Sequence, residues 1–428
     1  MARVRAAFYG DDFTGSVDAL LQFARRGWTG RLFVGVPSAD ALSEAAEQHD
    51  VVGIAGIARS LPTEQIESEV RPALEALAAL GAHVVQYKAC STADSSPAIG
   101  SLGRVIELGC EIVSPRTVPV LFAQPDFGRY TAFGHHFAAE DGVIFRLDRQ
   151  PTMSRHPSTP MSESDLAVHL RRQTTLMIGS IPFTDYRRST PLATGLRESS
   201  DAAVVLDALT EDDLALVGEA VLSLEPPVFA IGSGGLSHGI AAADPGPTSP
   251  LPTTAQRAGP VLAVSGSRSV QTRRQVEAAR HAGWLVDPLP LRADERADVV
   301  ADVVAALRSG RSVALHSDDA DLPGTSGPEA LEAIAASAAD VISIALAARG
   351  TGRVVVCGGD TSSRVVRLLG VEALSISANP WANVVLLEAH AHDRAIDGVE
   401  LLLKGGQVGT VDLFERLLAL PAGGLRLD

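Results

Sequence analysis

A chain of 428 residues with a net charge of -15 and an isoelectric point near 5.2 lacks the basic footprint that nucleic acid or an anionic membrane surface requires, and an anionic substrate would need its own local cationic pocket. Hydrophobic content of 46% with only 4% aromatics, 39 Gly and 25 Pro describes an aliphatic, turn-rich α/β protein of two or three domains, with parallel strands buried on both faces. Three cysteines (Cys90, Cys110, Cys357) without a CxxC pair or a Cys/His cluster argue against a disulfide framework or a structural zinc site; MARVRAAFYGDD has no apolar signal core and no window approaches ~18 unbroken apolar residues, so a soluble, cytoplasmic protein is expected.

The first element is a short apolar strand, Val4 to Tyr9, ending at Gly10-Asp11-Asp12-Phe13-Thr14-Gly15. Val17, Leu20, Leu21 and Ala24 then repeat at helical spacing, so the two carboxylates sit at the carboxyl end of a first strand, where open α/β sheets bind ligands. Capping by Asp12 or Thr14 explains one polar residue there; two acids in a row ask for more. Strand and helix candidates alternate through Arg31 to Val36, Val51 to Ala55, the helix Thr63 to Leu80 and the strand His83 to Tyr87. That strand leads into Lys88-Ala89-Cys90-Ser91-Thr92-Ala93-Asp94-Ser95-Ser96-Pro97, a hydroxyl-rich segment suited to a polyol or sugar acid, or equally a solvated loop.

Thr117 to Phe122 is a further strand, followed by a turn at Pro125 to Tyr130 and a hairpin pattern over Thr131 to Phe137 and Val143 to Leu147, with His135, His136 and Arg129 at its base. Arg149 to Pro160 is too polar and proline-broken for a core element and reads as a long loop or lid. A helix over Ser164 to Gln173 and strands near Leu176 to Ile178 and Ala203 to Leu206 follow, and Val228 to Ile231 runs into Gly232-Ser233-Gly234-Gly235. Five prolines between Asp244 and Pro260 mark a seam, which sets domains at 1–243 and 261–428 with a linker over 244–260.

Past the seam, Pro260 to Val264 enters Ser265-Gly266-Ser267-Arg268-Ser269 and a helix with Arg273, Arg274 and Val276. A strand at Ser312 to His316 and an alanine-rich helix, Pro328 to Ala347, precede Val354 to Leu369 (VVVCGGDTSSRVVRLL). This stretch is a buried strand, a glycine turn and a helix start, capped by Thr361 or Ser362 on the plainest reading. Paired glycines also let a ligand approach the backbone, and the unpaired amides at a helix start favour phosphate. Leu401-Leu402-Leu403-Lys404-Gly405-Gly406-Gln407 is a third strand end with a small-residue turn. Three such turns favour a phosphate ligand over three unrelated caps. The P-loop, GxGxxG, protein-kinase and GxSxG patterns are all missing, which leaves an NAD-dependent oxidoreductase as a weak rival and a hydrolase without a nucleophile.

In order and spacing, GDDFTGSVDAL, KACSTADSS, GRYTAFGH, RHPSTPM with LRRQT, IGSGGL, VSGSRS, CGGDTSSRVVRLLG and LLLKGGQVGTVDLF resemble the four-carbon acid sugar kinases, over nearly the whole chain from about Phe8 to about Phe414. The resemblance implies an α/β fold of two domains, each a mostly parallel sheet flanked by helices: an N-terminal sugar-acid-binding domain, a C-terminal ATP-binding domain, and an active site in the cleft between them. On the acceptor side it implies Asp11, Asp12, Arg59, Lys88, Ser91, Thr92, Asp94, Arg129 and His135. On the ATP side it implies Ser265, Ser267, Gly358, Gly359, Asp360, Thr361, Gly405 and Gly406. The KxCST form with Asp94 is nearer the branch acting on 3-oxo-tetronates than the threonate and erythronate branch. Asp94-Ser95-Ser96-Pro97-Ala98-Ile99-Gly100 is shorter than the family pattern and RLDRQPTMSRHP is more elaborate, which brings in branched 3-oxo-isoapionate; LLLKGGQVG replaces the more usual lysine-serine-glycine-asparagine on the ATP side.

The expected reaction is in-line transfer of the γ-phosphoryl of ATP, with Mg²⁺, to a primary hydroxyl of a short sugar acid, with Asp12 as base and Asp11 in support or the reverse. Asp360 would position metal or nucleotide; the metal ligands are not legible. The rival from another class is a non-catalytic sugar-acid and nucleotide sensor. Acidic α/β enzymes of this size often form homodimers, and one is a candidate assembly here.

Overall fold

The computed structural model describes residues 4–186, 191–247, 251–317, 327–381 and 384–422. They divide into two units, Met1–Pro250 and Leu251–Asp428.

In the first unit, continuous apolar runs form strands and the amphipathic stretches after them form helices. The order is β1 (Ala6–Gly10), α1 (Phe13–Ala24), β2 (Gly30–Phe33), α2 (Ala39–Gln48), β3 (Val51–Ala55), α3 (Thr63–Ala79), β4 (Val84–Lys88), α4 (Leu102–Val113) and β5 (Val118–Leu121). An insertion follows with β6 (Arg129–Ala132), β7 (His135–Glu140), β8 (Val143–Arg146) and α5 (Leu166–Arg171). The unit closes with β9 (Ile178–Ile181), α6 (Phe183–Tyr186), α7 (Leu192–Glu198), β10 (Ala203–Leu206), α8 (Glu211–Leu222), β11 (Val228–Gly232) and α9 (Gly234–Ala243). The sheet runs β2-β3-β1-β4-β11-β5-β10-β9, all parallel, while β6-β7-β8 is a separate antiparallel sheet.

Strand order reverses at β1: β2 and β3 lie to one side and β4 to the other, which opens a crevice at the carboxyl ends of β1 and β4. Register keeps those ends level, with Gly10 opposite Ala55 and Lys88, and Lys88 opposite Gly232. Phe8, Phe23 and Trp28 stack beneath, with Tyr9 on Tyr87. The predicted hairpin is one strand larger: β7 and β8 form the expected pair, and β6 adds to the other side of β7. The 149–160 stretch, predicted as a loop or lid, holds a short helical turn at Met153–Arg155, and Met153 and Thr159 are buried.

The second unit contains β12 (Val261–Ser265), α10 (Val270–His281), β13 (Leu285–Pro288), α11 (Ala293–Arg308), β14 (Val313–His316), α12 (Gly327–Ala347), β15 (Arg353–Cys357) and α13 (Gly359–Leu368). After these come β16 (Val371–Trp381), β17 (Val384–Ala391), β18 (Glu400–Lys404) and α14 (Leu413–Leu418). Its strands run β13-β14-β12-β15-β18-β17-β16; the first five are parallel, whereas β17 is antiparallel to both neighbours. The order reverses again at the first strand of the unit, between β12 and β15. The antiparallel pair β16 and β17 is absent from the sequence reading.

Two features of this unit are structural. Arg353 and Glu400, each 2% exposed at the side chain, pair at 3.0 Å across the amino ends of β15 and β18. Residues Glu329–Ala347 of α12 are long and apolar enough to cross a membrane by length and composition. Half of that span is buried, with Ala335, Val341 and Ile342 at 0% exposure, and the helix packs on α11 and α13 as a core helix does.

Candidate functional site

The carboxyl end of β1 delivers two aspartates with opposite surroundings. Asp11 is 2% exposed. Arg59, on a helical turn just past β3, donates to it from Nη2 (2.7 Å) and Nε (3.3 Å) and reaches Asp12 Oδ1 with the same Nη2 (2.6 Å). Burial pushes the Asp11 carboxyl up to about 6, against the pull of Arg59 and with the charge of Asp12 adding to the rise. Asp12 is the N-cap of α1, accepting from Gly15 N at 2.9 Å, so the capping role is real for this residue. Its side chain is 30% exposed, and Oδ2 has no hydrogen-bond partner among the described residues.

Lys88, at the end of β4, is 3% exposed, donates to Ala89 O (3.0 Å) and lies 3.8 Å from Asp18 Oδ2. A methyl group added at Gly15 would stand 2.3 Å from Asp12 Oδ1, 3.0 Å from Lys88 Nζ and 3.4 Å from Arg59 Nη2. That point measures how closely the groups converge. Asp11, Asp12, Arg59 and Lys88 therefore form one cluster. Asp18 joins it through Lys88, and Gln124 Nε2 lies 3.3 Å from Asp18 Oδ2. Asp18 lies within GDDFTGSVDAL, but helical spacing from Asp12 does not single it out.

The predicted loop residues Ser91, Thr92 and Asp94 follow Lys88. Thr92 Oγ1 donates to Asp94 Oδ1 (2.5 Å) and lies 3.0 Å from Cys90 Sγ. Burial pushes the Cys90 thiol up to about 11, so it is inert as a nucleophile at neutral pH. Arg129 feels the charge of Asp94, while its Nη1 donates to Phe127 O (2.9 Å) and Ala139 O (3.1 Å), and His135 Nδ1 is 3.0 Å from Ser164 Oγ. Neither makes a hydrogen bond to Asp11 or Asp12 among the described residues. The neighbouring His136, 0% exposed, is the one that reaches the loop, at Ser91 O.

In the second unit Ser265 ends β12 and Gly358 follows β15. Gly358 has φ 113°, open to glycine alone, and its N–H donates to Lys404 O at 2.9 Å. The helix α13 starts at Gly359 without a side-chain cap, so the expected cap at Thr361 or Ser362 is not formed; both residues lie inside the first turn, and Ser362 Oγ turns back to Val356 O (3.2 Å). Thr361 is 2% exposed, whereas the Asp360 carboxylate is exposed and makes no hydrogen bond or ion pair among the described residues.

A Cβ at Gly406 would stand 2.6 Å from Ser267 Oγ and 2.9 Å from Ser269 Oγ, and one at Gly266 would stand 2.3 Å from Thr361 Oγ1. Ser267, Gly358, Thr361 and Gly406 thus come together at one place, with Gly359 and Gly405 next to them in the chain. The predicted set omits the residues that hold this place together. Lys404, 2% exposed, donates to Thr272 Oγ1 (3.0 Å), which donates to Gly406 O (2.8 Å), and Gln275 donates to Val408 O (3.0 Å). A lysine closing an apolar strand was the available signal.

The donor chemistry of this cradle fits a phosphate chain, since backbone N–H groups, hydroxyls and a helix start converge in it. No group of three or more His, Cys, Asp and Glu suited to a metal occurs among the described residues. A Mg²⁺ bound chiefly by nucleotide phosphates needs only one or two carboxylates, and the exposed Asp360 is a residue that could supply one.

Residues 6–240 match a sugar-binding N-terminal domain and residues 262–414 a nucleotide-binding C-terminal domain. A 3-oxo-isoapionate kinase of Paraburkholderia graminis is 38% identical, spanning 95% of this chain and 93% of its own. A 3-oxo-tetronate kinase of Cupriavidus necator is 30% identical, spanning 95% of each. Solved structures from Salmonella typhimurium LT2 (TM-score 0.77, covering 96% of this chain and 98% of that one) and Haemophilus influenzae (TM-score 0.73, 97% and 99%) share the fold at 23% identity. With both halves matched and relatives aligned along almost their full length, the chain belongs to the four-carbon acid sugar kinase family and is a phosphotransferase with an alcohol group as acceptor.

Proposed function

We propose that this protein transfers the γ-phosphoryl group of ATP to the terminal primary hydroxyl of a 3-oxo sugar acid, with branched 3-oxo-isoapionate placed ahead of 3-oxo-tetronate. The observation that carries the reading is the Asp11–Arg59–Asp12–Lys88 cluster at the carboxyl ends of β1, β3 and β4. It supplies cations for an acid on an otherwise acidic protein, beside a carboxylate that remains reachable. The order of the two acids follows identity, 38% against 30%, together with the short loop after Asp94.

In this reading residues 1–243 bind the sugar acid, 244–260 link, and 261–428 bind ATP. Asp12 is the base: Gly15 N and Arg59 hold Oδ1, and Oδ2 accepts the proton of the acceptor hydroxyl as its oxygen attacks the γ-phosphorus and ADP leaves. Asp11 is the anchor, since both its oxygens are engaged by a single guanidinium that also orients Asp12. Lys88 and Arg59 meet the substrate carboxylate, while Ser91, Thr92, Asp94, Arg129 and His135 line the acceptor side. Ser265, Ser267, Gly358, Gly359, Thr361, Gly405 and Gly406 hold the nucleotide. Mg²⁺ entering with the nucleotide and meeting Asp360 would neutralise phosphate charge.

The test is ATP consumption with Mg²⁺ against D- and L-threonate, D- and L-erythronate, their 3-oxo forms and 3-oxo-isoapionate. Strong preference for one 3-oxo acid is expected. Turnover of threonate or erythronate alone would move the protein to the other branch, and nucleotide binding without turnover of any acid would favour a sensor.

A further inference from the structure

The segment after β4 does not hold its shape by itself. Ala93 sits in the left-handed region at φ 52°, a conformation that costs a non-glycine residue ~1 kcal/mol or more. Bonds within the segment, from Thr92 to Asp94 and from Ser95 Oγ to Ala93 O (2.9 Å), are too local to fix its position against the sheet.

Thr63 holds its far end, at Pro97 O (2.8 Å) and Ala98 O (2.9 Å), and two histidines from outside the segment anchor the part nearer Lys88. His136, on β7, lies 2.8 Å from Ser91 O through Nε2 and 2.9 Å from Thr131 Oγ1 through Nδ1. A carbonyl accepts only, so Nε2 carries the proton and Nδ1 accepts from the threonine hydroxyl. His169, on α5 and 7% exposed, places Nε2 2.9 Å from Ser95 Oγ, and Gln173 Nε2 donates to the same hydroxyl at 2.9 Å. Gln173 Oε1 in turn accepts from Leu102 N (2.9 Å), which ties the anchor to the start of α4. Burial lowers both imidazoles to about 4, so they stay neutral at physiological pH.

Neutrality suits the position. An arginine or lysine could also donate to Ser91 O but would place a charge with no carboxylate partner at a position that is 0% exposed. A neutral imidazole donates on one side, accepts on the other and leaves the field of the site unchanged.

We propose that His136 and His169 are positioning residues: by holding Ser91 and Ser95 they fix the Ser91–Asp94 wall of the acceptor pocket and through it the choice of acid. The inference rests on the kinase reading above and deepens it. Neither histidine touches substrate. They act on hydroxyls and a carboxylate that do, and the anchoring elements, the β6–β7 hairpin and α5, lie outside the strands that carry Asp11, Asp12 and Lys88.

The experiment is steady-state kinetics of His136→Leu, His136→Gln and His169→Leu with ATP, the preferred acid and the next-best acid, alongside melting temperatures. Losing one anchoring bond should raise KM for the preferred acid by about tenfold and narrow the preference between acids several-fold, with KM for ATP within about twofold of wild type. His136→Gln, whose amide nitrogen can donate to Ser91 O, should recover most of the loss. Should His136→Leu fail to fold, the glutamine variant and His169→Leu carry the test. Acid KM and acid preference left unchanged in both, or KM for acid and ATP rising in parallel, would overturn the positioning role. Absence of any acid turnover by the wild-type enzyme would instead overturn the kinase reading, so the two failures are distinct.

Discussion

Replacing Gly15 by alanine is the smallest change that separates the catalytic reading from a structural one. The new Cβ would stand 2.3 Å from Asp12 Oδ1, 3.0 Å from Lys88 Nζ and 3.4 Å from Arg59 Nη2. Ordinary contact requires the Asp12 carboxylate to retreat by about 1 Å, and a displacement of that size at a reacting group costs ~100-fold in rate. Stability should hardly change. Losing part of the Asp12 cap costs ~1 kcal/mol, and exchanging glycine for alanine in the first turn of α1 returns a similar amount. The variant should therefore melt within a few degrees of wild type while kcat falls by about two orders of magnitude and KM for ATP stays put. The assay is coupled ADP release at saturating ATP, with calorimetry as the control. A kcat within threefold of wild type in a folded Gly15→Ala protein would refute the placement of Asp12 at the reacting hydroxyl.

Three further outcomes are expected. Asp11 has its carboxyl raised by burial from 3.8 to about 6, so the folded state keeps the proton longer than the unfolded chain; the stability this contributes is full below pH ~4 and lost as pH rises through 6. At ~1.4 kcal/mol per pKa unit that is ~3 kcal/mol. Asp11→Asn should therefore gain on wild type by roughly that amount between pH 4 and 7.5 in urea unfolding, and a flat difference would contradict it. Gly406→Ala, whose Cβ would stand 2.6 Å from Ser267 Oγ, should weaken ATP binding by about tenfold in titration calorimetry with no change in acid KM, and an unchanged nucleotide Kd would remove the cradle from the nucleotide site. Arg353→Met leaves Glu400, 2% exposed, without its cation and should destabilise by ~3–5 kcal/mol, whereas Arg353→Met with Glu400→Leu should recover most of it; calorimetry showing the single variant unaffected would contradict the reading of this pair as a buried staple.

Much of the fold was legible in the chain because a strand buried on both faces must be apolar throughout. Val51–Ala55 and Ala203–Leu206 coincide with their predicted bounds, and β1, β4, β12 and β15 begin and end within a residue or two of expectation. The glycine turns were legible for a related reason: the φ of 113° at Gly358 is open to no other residue. Helices α2, α4, α8 and α11 and strand β13 escaped the reading, as did the antiparallel β16 and β17, where Ser, Asn and Pro interrupt the apolar run and cross-strand partners rather than composition make the strand.

Only the tertiary structure decided which acid is buried. Asp11 and Asp12 are adjacent and chemically identical, and a partner 47 and 48 positions away, Arg59, sorts them. Likewise His135 and His136 are indistinguishable in sequence, but successive side chains on a strand point to opposite faces, so His135 meets Ser164 while His136 meets the Ser91 loop. Residue type and local spacing determine strands, turns and the kinds of chemistry available. Which of two equal neighbours is buried, charged or in reach depends on contacts between segments far apart in the chain, and those exist only once the sheet has brought its strand ends level.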